Sequence, residues 1–152
     1  MTDIAFYHLQ RQRLEEALPL LLEKAYEAGL RAVVLAGSPD RVEALDQSLW
    51  TYRRESFLPH GTKRNGNAAD QPIFLTAEEA NPNGASLLFL VDGGASPDFV
   101  AGFARCLDLF DGNDEAALAA ARGRWSAAKA AGHRLTYWQQ GEQGGWQKKA
   151  EA

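Results

Sequence analysis

The side chains able to do chemistry in this chain are few and scattered. Its histidines are His8, His60 and His133, and its one cysteine is Cys106. No H-x-x-x-H or C-x-x-C spacing joins them, so the tetrahedral ligand set of a zinc site has no support. Cys106 lies in the apolar run RCLDLF (105–110), where a thiol is more readily buried and inert than nucleophilic. Two turns could hold an anion: AGSPD (36–40) and DGGASPD (92–98) each follow an apolar run and precede a helical pattern. Gly, Ser and Pro are also ordinary turn residues, which is the plainer account of both segments. The same holds for Asp92, a strand-end acid before Gly-Gly. The pattern G-x-x-x-x-G-K-[ST] is absent, and the first turn reads LQRQR (9–13) rather than G-x-G-x-x-G. No nucleophile, base and orienting group come together. The residues lean away from an enzyme and imply no cofactor. A nucleotide-binding α/β enzyme using the 36–40 or 92–98 loop is the alternative.

Two surface constellations remain. Leu118, Arg122, Trp125 and Lys129 follow helical spacing and form one stripe, with Arg124 beside it. A stripe mixing an aromatic with cations makes a poor core face, because buried cations need partners. It suits a short acidic segment with a hydrophobic end, since Arg can pair with a carboxylate while Trp gives an apolar wall. The competing account is a core Trp with snorkelling basic neighbours. The second constellation is LWTYRRESFLPHG (49–61), which combines Trp50, Phe57, Leu58, Pro59 and His60 with Arg53, Arg54, Lys63 and Arg64 nearby. Pro59 cannot donate a ladder hydrogen bond, which argues against a central strand there. An interface anchored by aromatics and a core edge wrapped by an ordered loop both fit. Single-strand stacking on Trp50, Tyr52 and Phe57 is a further option, disfavoured by the acidity of the chain.

The elements that must position these residues alternate. IAFYHL (4–9), RAVVLAG (31–37), PIFLT (72–76), SLLFLVDGG (86–94), RCLDLF (105–110) and HRLTYW (133–138) read as strands. An amphipathic helix with Leu14, Leu18, Leu21, Leu22 and Ala25 on one face follows the first strand and stops at Gly29. Pro19 conflicts with a straight helix there. Ser38 and Pro39 open a second helix with Val42, Leu45 and Leu49 on one face. PDFVAGFA reads as a short helix, and NDEAALAAARGRWSAAKAAG (113–132) as the strongest helix, acidic at its start. This order predicts a single α/β domain over 1–138 with a mixed, mostly parallel sheet flanked by helices. Residues 61–71 read as polar and mobile, and 139–152 as a flexible tail.

Bulk properties narrow the classes. A chain of 152 residues suits one core. A net charge of −4 argues against DNA binding over the whole surface. One cysteine permits no internal disulfide, as expected in a reducing compartment. The start, MTDIAFYHLQ, lacks the pattern of a signal peptide, and no apolar run reaches the ~20 residues of a membrane helix. A soluble cytoplasmic protein is the expectation.

The ordered set FYHL, ALPLLLEKAYEAG, ALDQSLWTYRRESFLPHG, QPIFLT, ANPNGASLLFLVDG and ARGRWSAAKAAGHRL resembles the chi subunit family of the bacterial DNA polymerase III holoenzyme. Its most specific parts are LW followed by SFLPH, and R-x-R-W before AG. The resemblance implies a nucleotide-binding-like α/β fold without the phosphate motif. It also implies a non-catalytic accessory subunit of the clamp-loader complex, acting in the cytoplasm at replication forks. Chi-like proteins pair with the psi subunit and bind the acidic C-terminal tail of single-stranded-DNA-binding protein, which ends in Pro-Phe. They touch DNA only indirectly.

On that resemblance Arg122, Arg124 and Trp125, with Lys129 nearby, are the expected tail-binding residues. Arg122 would meet the carboxylates, and Trp125 would wall the pocket for the terminal Phe. Relatives often carry a basic residue after the aromatic, where this chain has Ser126. Trp50, Phe57, Leu58, Pro59 and His60 match the element that faces psi, a surface that an XPD-like accessory helicase can also use. The residues after Tyr137, Trp146 among them, have no counterpart in the resemblance.

Overall fold

The computed structural model describes residues 2–51, 58–142 and 145–152. In chain order these form β1 (Asp3–Leu9), α1 (Leu14–Glu27), β2 (Ala32–Leu35), α2 (Pro39–Thr51), β3 (Gly61–Thr62) and β4 (Ile73–Thr76). There follow β5 (Leu87–Leu90), α3 (Pro97–Ala101), β6 (Arg105–Asp111), α4 (Glu115–Ala130), β7 (Arg134–Gln140) and β8 (Trp146–Glu151). One sheet runs in the order β3-β4-β2-β5-β6-β1-β7-β8. Every described pairing is parallel except that of β8 with β7. The chain is therefore the single α/β domain expected, a mostly parallel sheet between helices.

Strand alternation divides the core. Ala5, Tyr7, Val34, Leu107 and Leu109 pack with α1 and α2 on one face. Phe6, Val33, Leu88, Cys106 and Phe110 pack with α3 and α4 on the other. Central parallel strands need apolar residues on both faces, which explains the continuous runs AVVL and LLFL.

Local chemistry sets the helix limits. Ser38 Oγ accepts from Arg41 N at 3.1 Å at the start of α2, and Asp114 caps α4 by accepting from the N–H groups of Ala116 and Ala117. α1 carries Pro19 inside its second turn, and the proline is buried. The burial of Leu14, Leu18, Leu22 and Ala25 outweighs the backbone bond that proline gives up.

Two stretches differ from the sequence expectation. Residues 61–71, read as mobile, hold the short edge strand β3 and 3-10 turns at Lys63–Asn65 and Ala68–Asp70. Thr62 and Asn65 cap one of these turns reciprocally. Residues 146–151, read as part of a flexible tail, form β8, from Trp146 opposite Gln140 to Glu151 opposite Thr136. Trp146 meets Tyr7 edge to face at 4.8 Å, so the tail returns to cover the β1 side of the sheet.

Candidate functional site: the groove between α4 and the β7–β8 hairpin

α4 lies over β1, β6 and β7, and its outward rim stands opposite β8. Between them is a groove of about 520 Å³. Its floor is aromatic. Trp125 meets Phe6 edge to face at 5.4 Å and Tyr137 at 6.1 Å, and Tyr137 leans on Phe110 at 6.1 Å. Trp125 is only half-buried, so one part of the indole closes the core and the rest faces the groove. The rim is cationic, with Arg122 on α4 and Lys149 on β8, and no acidic residue lines it. On an acidic chain this is a local positive site with an apolar base, suited to an anion attached to an aromatic or aliphatic group.

A polar contact beneath the floor fixes Tyr137. Its hydroxyl and His8 Nδ1 share a hydrogen bond. Burial lowers the pKa of His8 and the nearby Arg122 lowers it further, against the opposing pull of Asp111. Burial raises that of Tyr137. Both shifts keep the proton on the tyrosine and the imidazole neutral. Gly112 lies against the same ring, where a Cβ would overlap His8.

The structure brings only two of the four expected tail-binding residues to this groove. Arg122 and Trp125 line the groove, as the stripe implied. Arg124 instead turns inward, where its Nε and Nη2 donate to Asp108 Oδ2 and Oδ1 at 2.6 and 2.9 Å. Asp108 is 1% exposed, on the α4 face of the sheet in an otherwise apolar strand. Burial raises its pKa, and the bidentate guanidinium opposes that rise. Nε and Nη2 of Arg124 are thus held by a buried carboxylate, away from this groove. Lys129 is exposed in the last turn of α4, outside the groove lining. Sequence reasoning missed Tyr137, His8 and Lys149. For Arg124 a signal existed: a lone Asp inside RCLDLF demands a cation from the element packed on it.

At the second expected site Trp50 is 51% exposed at the end of α2, and its ring contacts His60 at 4.6 Å. Phe57 lies outside the described residues. Leu58 and His60 are buried at 3% and 6% exposure, beneath the surface that Trp50 presents. Pro59 is partly exposed. His60 Nδ1 donates to Leu58 O at 2.7 Å. Its Nε2 lies 3.0 Å from Asp46 Oδ1 without forming a hydrogen bond.

The third region is the cleft of about 720 Å³ at the carboxyl ends of β1, β5 and β6, where open α/β sheets usually hold ligands. Here the two loops considered for a nucleotide hold each other. Gly37 N–H donates to Asp92 Oδ2 at 2.9 Å, and Arg41 Nε reaches Asp92 Oδ1 at 3.2 Å. A protein carboxylate thus takes the donors that a phosphate would need, and Asp111 and Asp114 line the same cleft. Cys106 is fully buried, and burial beside Asp108 raises its thiol pKa far above the ordinary value.

Comparison with known proteins identifies the family of the chain. The family model described as DNA polymerase III chi subunit, HolC, matches residues 1–136. A protein of Rickettsia prowazekii named probable DNA polymerase III subunit chi is 37% identical over 91 residues. That match covers 60% of this chain and 55% of the relative, so the chain spans little more than half of its length. The DNA polymerase III subunit chi of Pseudomonas aeruginosa is 31% identical over 113 residues, covering 72% of this chain and 77% of that protein. No helix among the described residues is long and apolar enough to cross a membrane. The chain belongs to the DNA polymerase III chi subunit family, a family of accessory subunits in DNA replication.

Proposed function

We propose that the protein is a non-catalytic adaptor of the replicative polymerase. Its α4–β7–β8 groove receives the acidic, Pro-Phe-ending tail of single-stranded-DNA-binding protein. The observation that carries this reading is the pairing of an aromatic floor with an all-cationic rim at Arg122 and Trp125. The terminal Phe packs against Trp125 and Tyr137, and Arg122 pairs with carboxylate. The surface around Trp50 is the docking face for a polymerase-complex partner, the psi subunit or, in its place, an XPD-like helicase. Its half-exposed indole, supported by buried His60 and Leu58, favours that role.

Calorimetric titration with an acidic peptide ending in Pro-Phe tests the groove. The wild type binds it with micromolar affinity that weakens as salt rises. Arg122→Ala loses about 1–3 kcal/mol, the scale of one charge-assisted contact. Equal affinity in wild type and Arg122→Ala would refute the assignment. The mutual capture of the 36–40 loop and Asp92 argues against the nucleotide-enzyme alternative. Saturable binding of ATP, GTP or NAD with turnover would revive it.

A further inference from the structure

β8 lies beyond the residues that match the family model, yet it forms a wall of the groove. Its pairing with β7 is irregular at one point. Trp138 stands opposite Lys148 and Tyr137 opposite Ala150, which leaves Lys149 as the extra residue of a β-bulge. A bulge sets two residues against one and re-aims their side chains. Lys149 and Ala150 accordingly both line the groove beside Tyr137. Lys148 sits opposite Trp138, whose side packs with the α1 face, and Lys148 Nζ lies 3.1 Å from Glu151 Oε2. Among the described residues Lys149 has no such partner.

We propose that the bulge delivers Lys149 as a second cationic arm of the groove, facing Arg122 and contacting acidic side chains that precede the ligand's aromatic end. This role rests on reading the groove as the site of an acidic peptide. Charge complementarity favours that occupant: the rim is wholly cationic, and the cations stand on opposite walls. Lys149 also offers a charge from the hairpin, in a chain with Ser126 directly after Trp125.

The test compares wild type, Lys149→Gln and Lys148→Gln against two peptides by titration at low salt. One is acidic and ends in Pro-Phe with a free carboxylate. The other keeps that end but carries amides for the acidic side chains. Lys149→Gln is expected to weaken the acidic peptide about threefold, the range of a partly exposed ion pair, and to leave the amide peptide unchanged. Lys148→Gln is expected to alter neither. Both lysines are exposed, so folding is not at stake. Wild-type affinity in Lys149→Gln, or an equal loss in Lys148→Gln, overturns the proposal while the groove reading stands. If the wild type binds neither peptide, the groove reading falls, and the role of Lys149 falls with it.

Discussion

Residues separated by two positions on a helix point roughly 200° apart, so Arg122 and Arg124 leave α4 on different sides. Arg122 faces the groove, and Arg124 neutralises Asp108 inside the fold. Their variants should therefore separate. Arg124→Ala leaves a buried carboxylate unpaired, and urea unfolding should show a loss of about 3–5 kcal/mol with peptide affinity kept in the folded protein. The sign of its pH dependence follows from the carboxyl group. Removing Arg124 removes the group that opposes the raised pKa of Asp108. Stability is then present at low pH and lost as pH rises through the folded value, so the deficit of the variant shrinks on acidification. His8 acts in the opposite sense. Its folded pKa is lowered, so its contribution is complete above the ordinary value near 6.5 and is lost as pH falls through the folded value. Thermal melts across that window should show a shallower acid-side decline in His8→Asn than in wild type.

The elements show where sequence patterns carry information and where they do not. The strands AVVL and LLFL and the capped, alanine-rich α4 were legible because burial on both faces and helical period leave strong signatures. The positions of Arg122 and Trp125 on one face of α4 followed from spacing alone. β8 was not legible. Its sequence WQKKAE holds one large apolar residue, and its pairing is set by β7 rather than by its own propensity. Read as a loose tail, it hid both Lys149 and the covering role of Trp146. Arg124 escaped for a related reason, since a helical wheel does not show which strand residue lies below it. Trp146 gives the hairpin its apolar anchor through Tyr7. Trp146→Ala should cost about 1–2 kcal/mol, less than a fully buried aromatic. It should also weaken peptide binding by loosening the β8 wall, whereas a wall held by backbone pairing alone would leave affinity unchanged.

At the scale of the whole molecule, the sheet separates its surfaces. The α4–β7–β8 groove and the exposed Trp50 belong to opposite faces and opposite halves of the strand order. The carboxyl-edge cleft between them is tied by its own Asp92 and Arg41. This layout suits a protein that holds two partners at once, and it predicts that Trp50→Ala and Arg122→Ala lose different partners in pull-downs. The central claim concerns the groove, and the chain carries its own reporters in Trp50, Trp125, Trp138 and Trp146. The most direct measurement is a nuclear magnetic resonance titration of the ¹⁵N-labelled protein with the acidic Pro-Phe peptide, following the indole N–H signals and the backbone amides. The account predicts that Trp125 and the amides of Arg122, Ser126, Tyr137 and Lys149 shift together and saturate, while Trp50 stays still. Shifts centred on Trp50, or on the Gly37–Asp92 cleft with Trp125 unmoved, would contradict it.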